Sequence, residues 1–443
     1  MLRTTATRLA PASADSIVVG AGPAGIAVLG HLLHNQQQPQ SRSSSSPSST
    51  PSRNVWVDPS FSAGRVNARY RLVPSNTKVD LFCQFASTLP PLNAIVSGAA
   101  EPNAFTELKA LRQDKGCELG KAADLLLMLS EGLGARDDVA RAKSTVRAAE
   151  LDVKSNTWRV SIDGGEEDED VLTRRLVLCT GSSPITAPLP VLQSAAPPIS
   201  QVHLDTALNP PLLADALDRT EPRTVAVIGA SHSAILVLMN LYALASTTHP
   251  HLRVKWFTRH EKLRYAVDKG GWILYDNTGL KGEAAEWARA NLEADAFASS
   301  PASAVITRLH TPTVTGEEEA LYRAELPGCS YVVQAVGYRR DPLPELTLAG
   351  TQEPIGVEHD GLTGRFFSSS SLASSAGAGA GAAGKGGQTY VPGLFGAGIA
   401  FPERVTDPAG NVEHAVGFWK FMKFLNRVVP QWVSSTEQND LRQ

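Results

Sequence analysis

The sequence has few cysteines and no long apolar segment. Its four cysteines lie far apart and form no C-x-x-C pair, so they favour neither a disulfide framework nor a zinc site, and we predict no bound metal. No apolar run reaches the roughly 18 to 20 residues needed to span a bilayer, so no membrane association is predicted. The 41 basic and 44 acidic side chains give a net charge of −3, which lacks the basic excess typical of nucleic-acid-binding proteins.

The first residues also lack acidic side chains and a secretory apolar core. Met1 to Ala14 contains Arg3 and Arg8, which is typical of a rudimentary mitochondrial presequence. The segment is short, and we interpret it as a frayed tail of a cytoplasmic protein, with the mitochondrial location as the alternative. A length of 443 residues is enough for two domains.

A dinucleotide-binding fingerprint follows this tail. An apolar, β-branched run over residues 16–19 leads into a G-x-G-x-x-G turn and then into an apolar helical pattern. In such a unit the first glycine permits the tight turn, the second lets a pyrophosphate approach, and the third lets helix and strand pack closely. Phosphates bind the free N–H groups at the helix N-terminus. The predicted cofactor-binding residues are Gly20, Gly22, Pro23, Ala24 and Gly25.

An acidic residue after the second strand of such a unit binds the adenosine ribose, about 20 residues beyond the glycines. Asp58 ends an apolar strand pattern but lies 36 residues after Gly22. The excess is an 18-residue run of Gln, Ser and Pro from Gln36 to Arg53, a composition that cannot form a core. We predict that this run is a surface insertion and that Asp58 binds the ribose. Alternatively, Asp58 only forms a turn before Pro59.

A second strand–turn–helix pattern spans residues 224–245. Gly229 is the only glycine left in its turn, but Ser231 and Ser233 are small enough to let a phosphate approach. The next strand ends at Arg259 rather than at an acid, and a cation there suits the 2′-phosphate of NADPH. We therefore predict that these four residues bind NADPH. Alternatively, Arg259 is an ordinary surface side chain.

The segment after Asp58 resembles the class B flavin monooxygenases. In that family the ribose-binding acid is followed by a turn containing glycine, here Gly64. A Ser/Thr-Asn-Thr segment that ends near a lysine then lies against the flavin, here residues 75–78. The resemblance implies that the chain binds FAD, that Asn76 stands beside the reactive edge of the isoalloxazine, and that Lys78 lies nearby. By composition alone, the segment is also typical of a surface turn.

Three further segments resemble parts of the same architecture. Thr180-Gly181 ends an apolar strand as at the crossing from the FAD domain to the nicotinamide domain, and a similar segment ending at Gly337 resembles the return crossing. Gly396 and Gly398 lie in a segment that resembles the second FAD motif. The resemblance implies that the glycines of these segments, together with Thr180, bind the cofactors: Thr180, Gly181, Gly337, Gly396 and Gly398. An amphipathic helix is predicted after the last segment, from Glu413 to Val429.

These motifs predict an α/β fold with two Rossmann-type dinucleotide-binding domains. The FAD domain is expected to have three layers of ββα type and to consist of residues 1–205 and 339–443, with the NADPH domain inserted at 206–338. Helices over about 85–141 either cap the cofactor cleft or pack as ordinary core. Residues 36–53 and 368–388 are expected to be low-complexity insertions.

The resemblance implies a monooxygenase that uses FAD, NADPH and O2, forms a flavin C4a-hydroperoxide, and oxygenates a small soft nucleophile such as an amine or a thioether. Two alternatives stay open: an NADPH-dependent flavin oxidoreductase without oxygenation, and a non-catalytic nucleotide-sensing flavoprotein. A disulfide reductase is disfavoured because the cysteines form no redox pair. A serine hydrolase using Ser231 is disfavoured because G-x-S-x-G is absent there.

Three further features have no firm role at this point. His203 is either a linker histidine of the family type or a capped or core histidine. The segment from Gly270 to Gly282 is rich in polar and aromatic groups and faces either the nicotinamide or the substrate. The near-Walker pattern from Gly379 to Lys385 lacks the flanking strand and helix, so we reject it as a phosphate loop.

Overall fold

The computed structural model describes residues 13–37, 53–164, 169–189, 192, 197–311, 316–351, 353–368 and 389–437. Three sequence-based expectations fall wholly or mostly outside these ranges. They concern the N-terminal tail, the two low-complexity insertions at 36–53 and 368–388, and the near-Walker segment.

The described strands, numbered in chain order, are β1 (Ser13–Ala14), β2 (Ser16–Val19), β3 (Asn54–Val57), β4 (Val139–Ala142), β5 (Val146–Asp152), β6 (Thr157–Ile162), β7 (Glu169–Thr173), β8 (Leu176–Leu178), β9 (Ser182–Pro184), β10 (Ser200–Gln201), β11 (Arg223–Ile228), β12 (Leu252–Thr258), β13 (Val267–Asp268), β14 (Ile273–Leu274), β15 (Ile306–His310), β16 (Tyr331–Gln334), β17 (Tyr338–Arg340), β18 (Glu345–Leu348), β19 (Val357–His359), β20 (Arg365–Ser368), β21 (Tyr390–Gly396), β22 (Glu403–Thr406) and β23 (Val412–Ala415).

The described α-helices are α1 (Pro23–Gln37), α2 (Gly64–Arg69), α3 (Val79–Ser87), α4 (Pro90–Gly98), α5 (Ala104–Ala110), α6 (Leu119–Gly134), α7 (Leu204–Ala207), α8 (Pro210–Ala216), α9 (His232–Ser246), α10 (Gly282–Asn291), α11 (Ala294–Phe297), α12 (Glu317–Glu325) and α13 (Phe418–Glu437).

A seven-stranded sheet forms the centre of the first unit. Its strand order is β19-β20-β21-β8-β2-β3-β4, and the five strands from β21 to β4 are parallel. Both faces are buried, since Ile17 and Val18 of β2 belong to hydrophobic clusters on opposite sides. Because β21 comes from the C-terminal part of the chain, the sheet is completed only by residues on both sides of an insertion.

The first unit has the three layers predicted from the sequence. One face of the seven-stranded sheet packs against helices, including α1, α6 and α13, and the other against a second sheet of order β1-β7-β6-β5-β18. Trp158 of β6 is fully buried between the two sheets. Helices α3 to α6 share the core of α1 and α13. Their contacts therefore favour ordinary core packing over a cap on the cofactor cleft.

The inserted unit is a second Rossmann-type fold. Its parallel sheet has the order β10-β16-β11-β12-β15, with α9 and α10 packed on one face. Because Ser200 and Gln201 of β10 belong to this sheet, the unit includes residues before the predicted boundary at 206. The prediction of an α/β protein with two Rossmann-type domains is confirmed.

The two predicted crossings between the units lie side by side. Strands β9 and β17 pair antiparallel, with Ser182 opposite Arg340 and Pro184 opposite Tyr338. The chain therefore leaves and re-enters the first unit through one two-stranded ribbon.

The predicted helix from Glu413 to Val429 is wrong at its start. Residues Val412–Ala415 form strand β23, which pairs with β22, and the helix begins only at Phe418 after Gly417. Within β23, exposed Val412 alternates with buried Glu413, a two-residue period that four residues show too briefly to be recognised. At the other end, the helix continues through Pro430 to Glu437.

Candidate active site

The predicted FAD-binding residues meet at one edge of the seven-stranded sheet. Gly20 follows β2, Asp58 follows β3, Thr180 follows β8, and Gly398 follows β21. Because these strands are neighbours and parallel, their carboxyl ends lie together, which is where open α/β sheets bind ligands.

The first glycine loop has the geometry predicted from its spacing. Gly20 has a φ of 106°, and a Cβ there would overlap the carbonyl oxygen of Cys179. A Cβ at Gly25 would overlap the carbonyl oxygen of Gly20, so this glycine allows close packing of helix and strand. A Cβ at Gly22 would meet no described atom within 4 Å. Gly22 therefore faces open space at the start of α1.

Gly64, Ala24 and Gly398 also lie at this loop. A Cβ at Gly64 would lie 3.3 Å from the Cα of Gly22, and one at Gly398 would lie 2.6 Å from the Cβ of Ala24. The turn after β3 and the loop after β21 therefore close around the start of α1.

Two neighbouring aromatic rings explain why position 396 needs a glycine, without any contact to a ligand. A Cβ there would lie 2.7 Å from the ring of Phe401 and 2.9 Å from that of Phe366. Its packing between two aromatic rings does not support the predicted cofactor contact.

Asp58 is buried and already has protein partners. One carboxylate oxygen accepts a hydrogen bond from the backbone N–H of Ala21 at 2.8 Å. The other accepts from the backbone N–H groups of Ser60 at 2.9 Å and Phe61 at 2.6 Å. Asp58 thus forms the turn after β3 and ties it to the glycine loop. The predicted ribose contact stays a prediction.

This edge of the sheet fits a dinucleotide. The hydroxyl of Thr180 is buried without a hydrogen-bond partner among the described residues, and Gly22 leaves room beside the helix N-terminus. A buried hydroxyl in that state favours a ligand that supplies the missing hydrogen bond. The residues present therefore fit the predicted FAD.

The second glycine loop repeats the first in detail. Gly229 has a φ of 130°, and a Cβ there would overlap the carbonyl oxygen of Ala335 at the end of the neighbouring strand. The indole N–H of Trp256 donates to the Gly229 carbonyl at 2.7 Å, and that of Trp56 donates to the Gly20 carbonyl at 2.9 Å. No motif in the sequence points to either tryptophan, although each lies on the next strand after its glycine loop.

A cavity of about 1110 Å³ lies at the edge of the parallel sheet of the inserted unit. Of the four predicted NADPH-binding residues, Gly229, Ser231 and Arg259 line it and Ser233 does not. Gly337, at the return crossing, lines it too. Its other cationic side chains are Lys262 and Arg264. The volume, the glycine turn and these cations fit NADPH.

Arg259 is paired with an acid that lines the same cavity. Its guanidinium donates to the two carboxylate oxygens of Glu318 at 3.1 and 2.8 Å, and the hydroxyl of Tyr322 donates to Glu318 at 2.7 Å. Burial alone would raise the pKa of Glu318, but the hydrogen bond from Arg259 holds it below its usual value. A phosphate that binds Arg259 must compete with this carboxylate.

The two predicted catalytic residues lie on an exposed turn before α3. The hydroxyl of Ser75 donates to the Thr77 carbonyl and accepts from the Thr77 N–H, so the turn-forming alternative describes the local structure. Asn76 and Lys78 are both exposed. A Cβ at Gly282 would lie 3.7 Å from the Cα of Asn76. The turn therefore touches the inserted unit, and the catalytic roles of both residues stay predictions.

Residues 275–282, which we call the bridging loop, lie between the two units. Thr278 and Leu280 line the cavity of the inserted unit, while Gly282 lies against the Asn76 turn. Asp276 forms ion pairs with Lys281 of the loop and with Lys420 of α13. No sequence pattern predicts the contact of this segment with Lys420, which lies 144 positions after Asp276 in the chain.

Two histidines lie at the starts of helices, outside the lining of this cavity. His203 caps α7 by accepting a hydrogen bond from the Asp205 N–H at 3.2 Å. His232 starts α9, and burial lowers its pKa to about 4.

A curated relative decides the family. No protein-family model matches the chain. Monooxygenase AgnR1 of Paecilomyces divaricatus is 46% identical over 428 residues, which cover 96% of this chain and the whole of that protein. The chain belongs to the family of this monooxygenase. As a monooxygenase it uses O2 and a small-molecule substrate, which confirms the predicted class of enzyme.

Several solved structures are also similar to this monooxygenase. A steroid monooxygenase bound to NADP is 14% identical, with 97% of this chain and 86% of that chain covered and a TM-score of 0.48. The S-allyl-L-cysteine S-oxygenase of Allium sativum is 12% identical, with coverages of 80% and 69% and a TM-score of 0.45. DfoA, an FAD-bound cadaverine monooxygenase from Erwinia amylovora, is 14% identical, with coverages of 81% and 73% and a TM-score of 0.41. None of the helices in the described ranges is long and apolar enough to cross a membrane.

Proposed function

We propose that this monooxygenase binds FAD at the edge of the seven-stranded sheet and NADPH in the cavity of the inserted unit, and that it oxygenates an amine or a thioether. The observation that supports this most is the repeated glycine loop, with Trp56 and Trp256 in equivalent contacts. Each of the two units has such a loop, and a single ribbon joins the units. This arrangement favours two dinucleotides that react with each other.

The residues at each site have separate tasks. The start of α1 offers free N–H groups to the FAD pyrophosphate, and Gly22 leaves the space for it. Arg259 offers a cation for the 2′-phosphate of NADPH. Asn76 offers an exposed carboxamide, which both donates and accepts hydrogen bonds, where the two units touch. The chemistry that the two cofactors supply when bound is hydride transfer followed by activation of O2.

The cysteine beside the first glycine loop, Cys179, does not favour a disulfide reductase. Cys179 lies beside Gly20 and is buried, and its burial raises the pKa of its thiol to about 12. It stays protonated at neutral pH, whereas disulfide exchange requires a thiolate.

The test of cofactor binding is Gly22→Val. The new side chain enters open space, so the chain should fold, but the purified protein should be colourless because the pyrophosphate site is blocked. Gly98→Val is the matched control, since Gly98 at the end of α4 also has open space around its Cβ position. A yellow, fully loaded Gly22→Val protein would remove this loop from FAD binding.

The test of the reaction uses ¹⁸O2, NADPH and a panel of amines and thioethers. The proposal expects one labelled oxygen atom in the product and oxidation of one NADPH for each. Oxidation of NADPH that yields only H2O2 with every compound would favour an oxidoreductase without oxygenation.

A further inference from the structure

The bridging loop is attached to the C-terminal part of the first unit by a buried acid. Glu413 lies on β23 and its side chain is 4% exposed. One of its carboxylate oxygens accepts from the backbone N–H and the side-chain amide of Asn277, at 3.0 and 3.2 Å. The other accepts from the backbone N–H and the hydroxyl of Thr278, at 3.0 and 2.5 Å. Four donors of the inserted unit therefore converge on one carboxylate of the first unit.

A second attachment lies next to the first. The ammonium group of Lys420, at the start of α13, donates to the Asn277 side-chain oxygen at 2.6 Å and to the Asp276 carbonyl at 3.0 Å. Burial opposes ionisation of Asp276, but hydrogen bonds from Lys281 and Lys420 hold its pKa below the usual value. The loop is thus held by both polar and ionic contacts.

The attached segment leads to residues that border the cavity and the Asn76 turn. Thr278 lines the cavity of the inserted unit, and Gly282, four residues later, lies against the Asn76 turn of the first unit. A loop fixed at Asn277 and Thr278 therefore sets the distance between the cavity and that turn. Release of the loop would change this distance while leaving the two glycine loops intact.

We infer that Glu413 is a positioning residue, which holds the bridging loop so that the coenzyme cavity and the Asn76 turn keep the relative position needed for hydride transfer. The inference rests on the proposed function. A small displacement of two reacting groups lowers a rate steeply, and about 1 Å is enough to lower it roughly 100-fold. Glu413 therefore affects the rate of flavin reduction more than the affinity for either cofactor.

Glu413→Gln tests this with little change of shape. In glutamine an NH2 group replaces one carboxylate oxygen and cannot accept hydrogen bonds, so two of the four donors lose their acceptor. We expect faster amide hydrogen exchange at Asn277 and Thr278, and a roughly tenfold or greater fall in the limiting rate of flavin reduction by NADPH. The FAD content and the Kd for NADP⁺ should change by less than about twofold.

Glu403→Gln is the matched control, because Glu403 lies on the paired strand β22 and bonds to Arg427 instead of the loop. It should match the unmodified protein in all four measurements. If Glu413→Gln folds poorly, Thr278→Val removes only the hydroxyl donor and should give smaller changes in the same direction.

The outcomes separate the two proposals. Unchanged amide exchange in Glu413→Gln, or faster exchange with unchanged flavin reduction, would overturn the positioning role. A rise in the Kd for NADP⁺ or a loss of FAD that accounts for the whole fall in the rate of flavin reduction would do the same. If the unmodified protein shows no reduction by NADPH, the proposed function fails, and the exchange data alone then decide whether Glu413 holds the loop.

Discussion

The charged side chains predicted to bind cofactors are already paired with protein groups. Asp58 accepts three backbone hydrogen bonds, and Arg259 donates to Glu318 from Nε and one terminal nitrogen of its guanidinium. Such pairs hold a side chain in place before the ligand arrives, but they also compete with it. The competition is strongest at Arg259, because a carboxylate and a phosphate need the same N–H groups.

Glu318→Gln should therefore strengthen the preference for NADPH over NADH. Removing the carboxylate charge frees Arg259 for the 2′-phosphate, and partly exposed ion pairs of this kind contribute about 1 kcal/mol or less. Titration should show roughly fivefold tighter binding of NADP⁺ with little change for NAD⁺. Arg259→Ala should weaken NADP⁺ selectively.

Glu319→Gln provides the control for this prediction, since Glu319 lines the same cavity but pairs with Arg323. Equal effects of Glu318→Gln on both coenzymes would place the 2′-phosphate elsewhere.

Asn76→Ala should change what happens to O2 and leave flavin reduction intact. The carboxamide is the exposed hydrogen-bonding group of its turn, and alanine lacks it. We expect less product and more H2O2 for each NADPH oxidised, measured by product analysis and a peroxide assay. Asn93→Ala, at an exposed site on α4, should behave like the unmodified protein. An unchanged product-to-NADPH ratio would remove Asn76 from the mechanism.

At the scale of elements, local sequence predicted the parts whose signal is local. The turn at Gly20 and the crossings at Gly181 and Gly337 carry their pattern within a few residues. Strand β23 was mistaken for helix because only four residues show its period. The contact of Glu413 with the bridging loop joins residues 136 positions apart, and no spacing rule connects them.

The two tryptophans give a reciprocal prediction for the glycine loops. Trp56→Phe leaves the buried Gly20 carbonyl without its indole donor, and Trp256→Phe does the same at Gly229. An unsatisfied buried acceptor costs about 1–3 kcal/mol. Trp56→Phe should weaken FAD binding and spare NADP⁺, whereas Trp256→Phe should do the opposite, so each variant controls for the other. Titration of both cofactors into both proteins is the measurement, and a loss common to both would indicate general destabilisation.

For the whole molecule, one buried and two half-buried histidines make stability depend on pH. Burial lowers the pKa values of His31, His232 and His359 to about 4. Between pH 6.5 and 4 the unfolded chain therefore binds more protons at these sites than the folded chain does. The free energy of unfolding should fall as pH drops through this range, by up to about 3 kcal/mol for each histidine.

Denaturant titrations at pH 7.5, 6 and 5 would measure this slope. His31→Gln should make it shallower, because His31 is buried between α1 and α13 and bonds to the Met422 carbonyl at 3.3 Å. His251→Gln, at an exposed position, should leave the slope as it is. Identical slopes for His31→Gln and the unmodified protein would assign the pH dependence to other groups.

The interrupted seven-stranded sheet also dictates an order of events during synthesis on the ribosome. The sheet of the inserted unit is complete once β16 has emerged at Gln334, whereas β8 must wait for its second neighbour, β21, which ends at Gly396. Nascent chains are made from the N-terminus, and a domain folds as a unit once its parts are available. The inserted unit should thus acquire its coenzyme-binding fold first, and a stalled chain that stops before Tyr390 should capture no flavin.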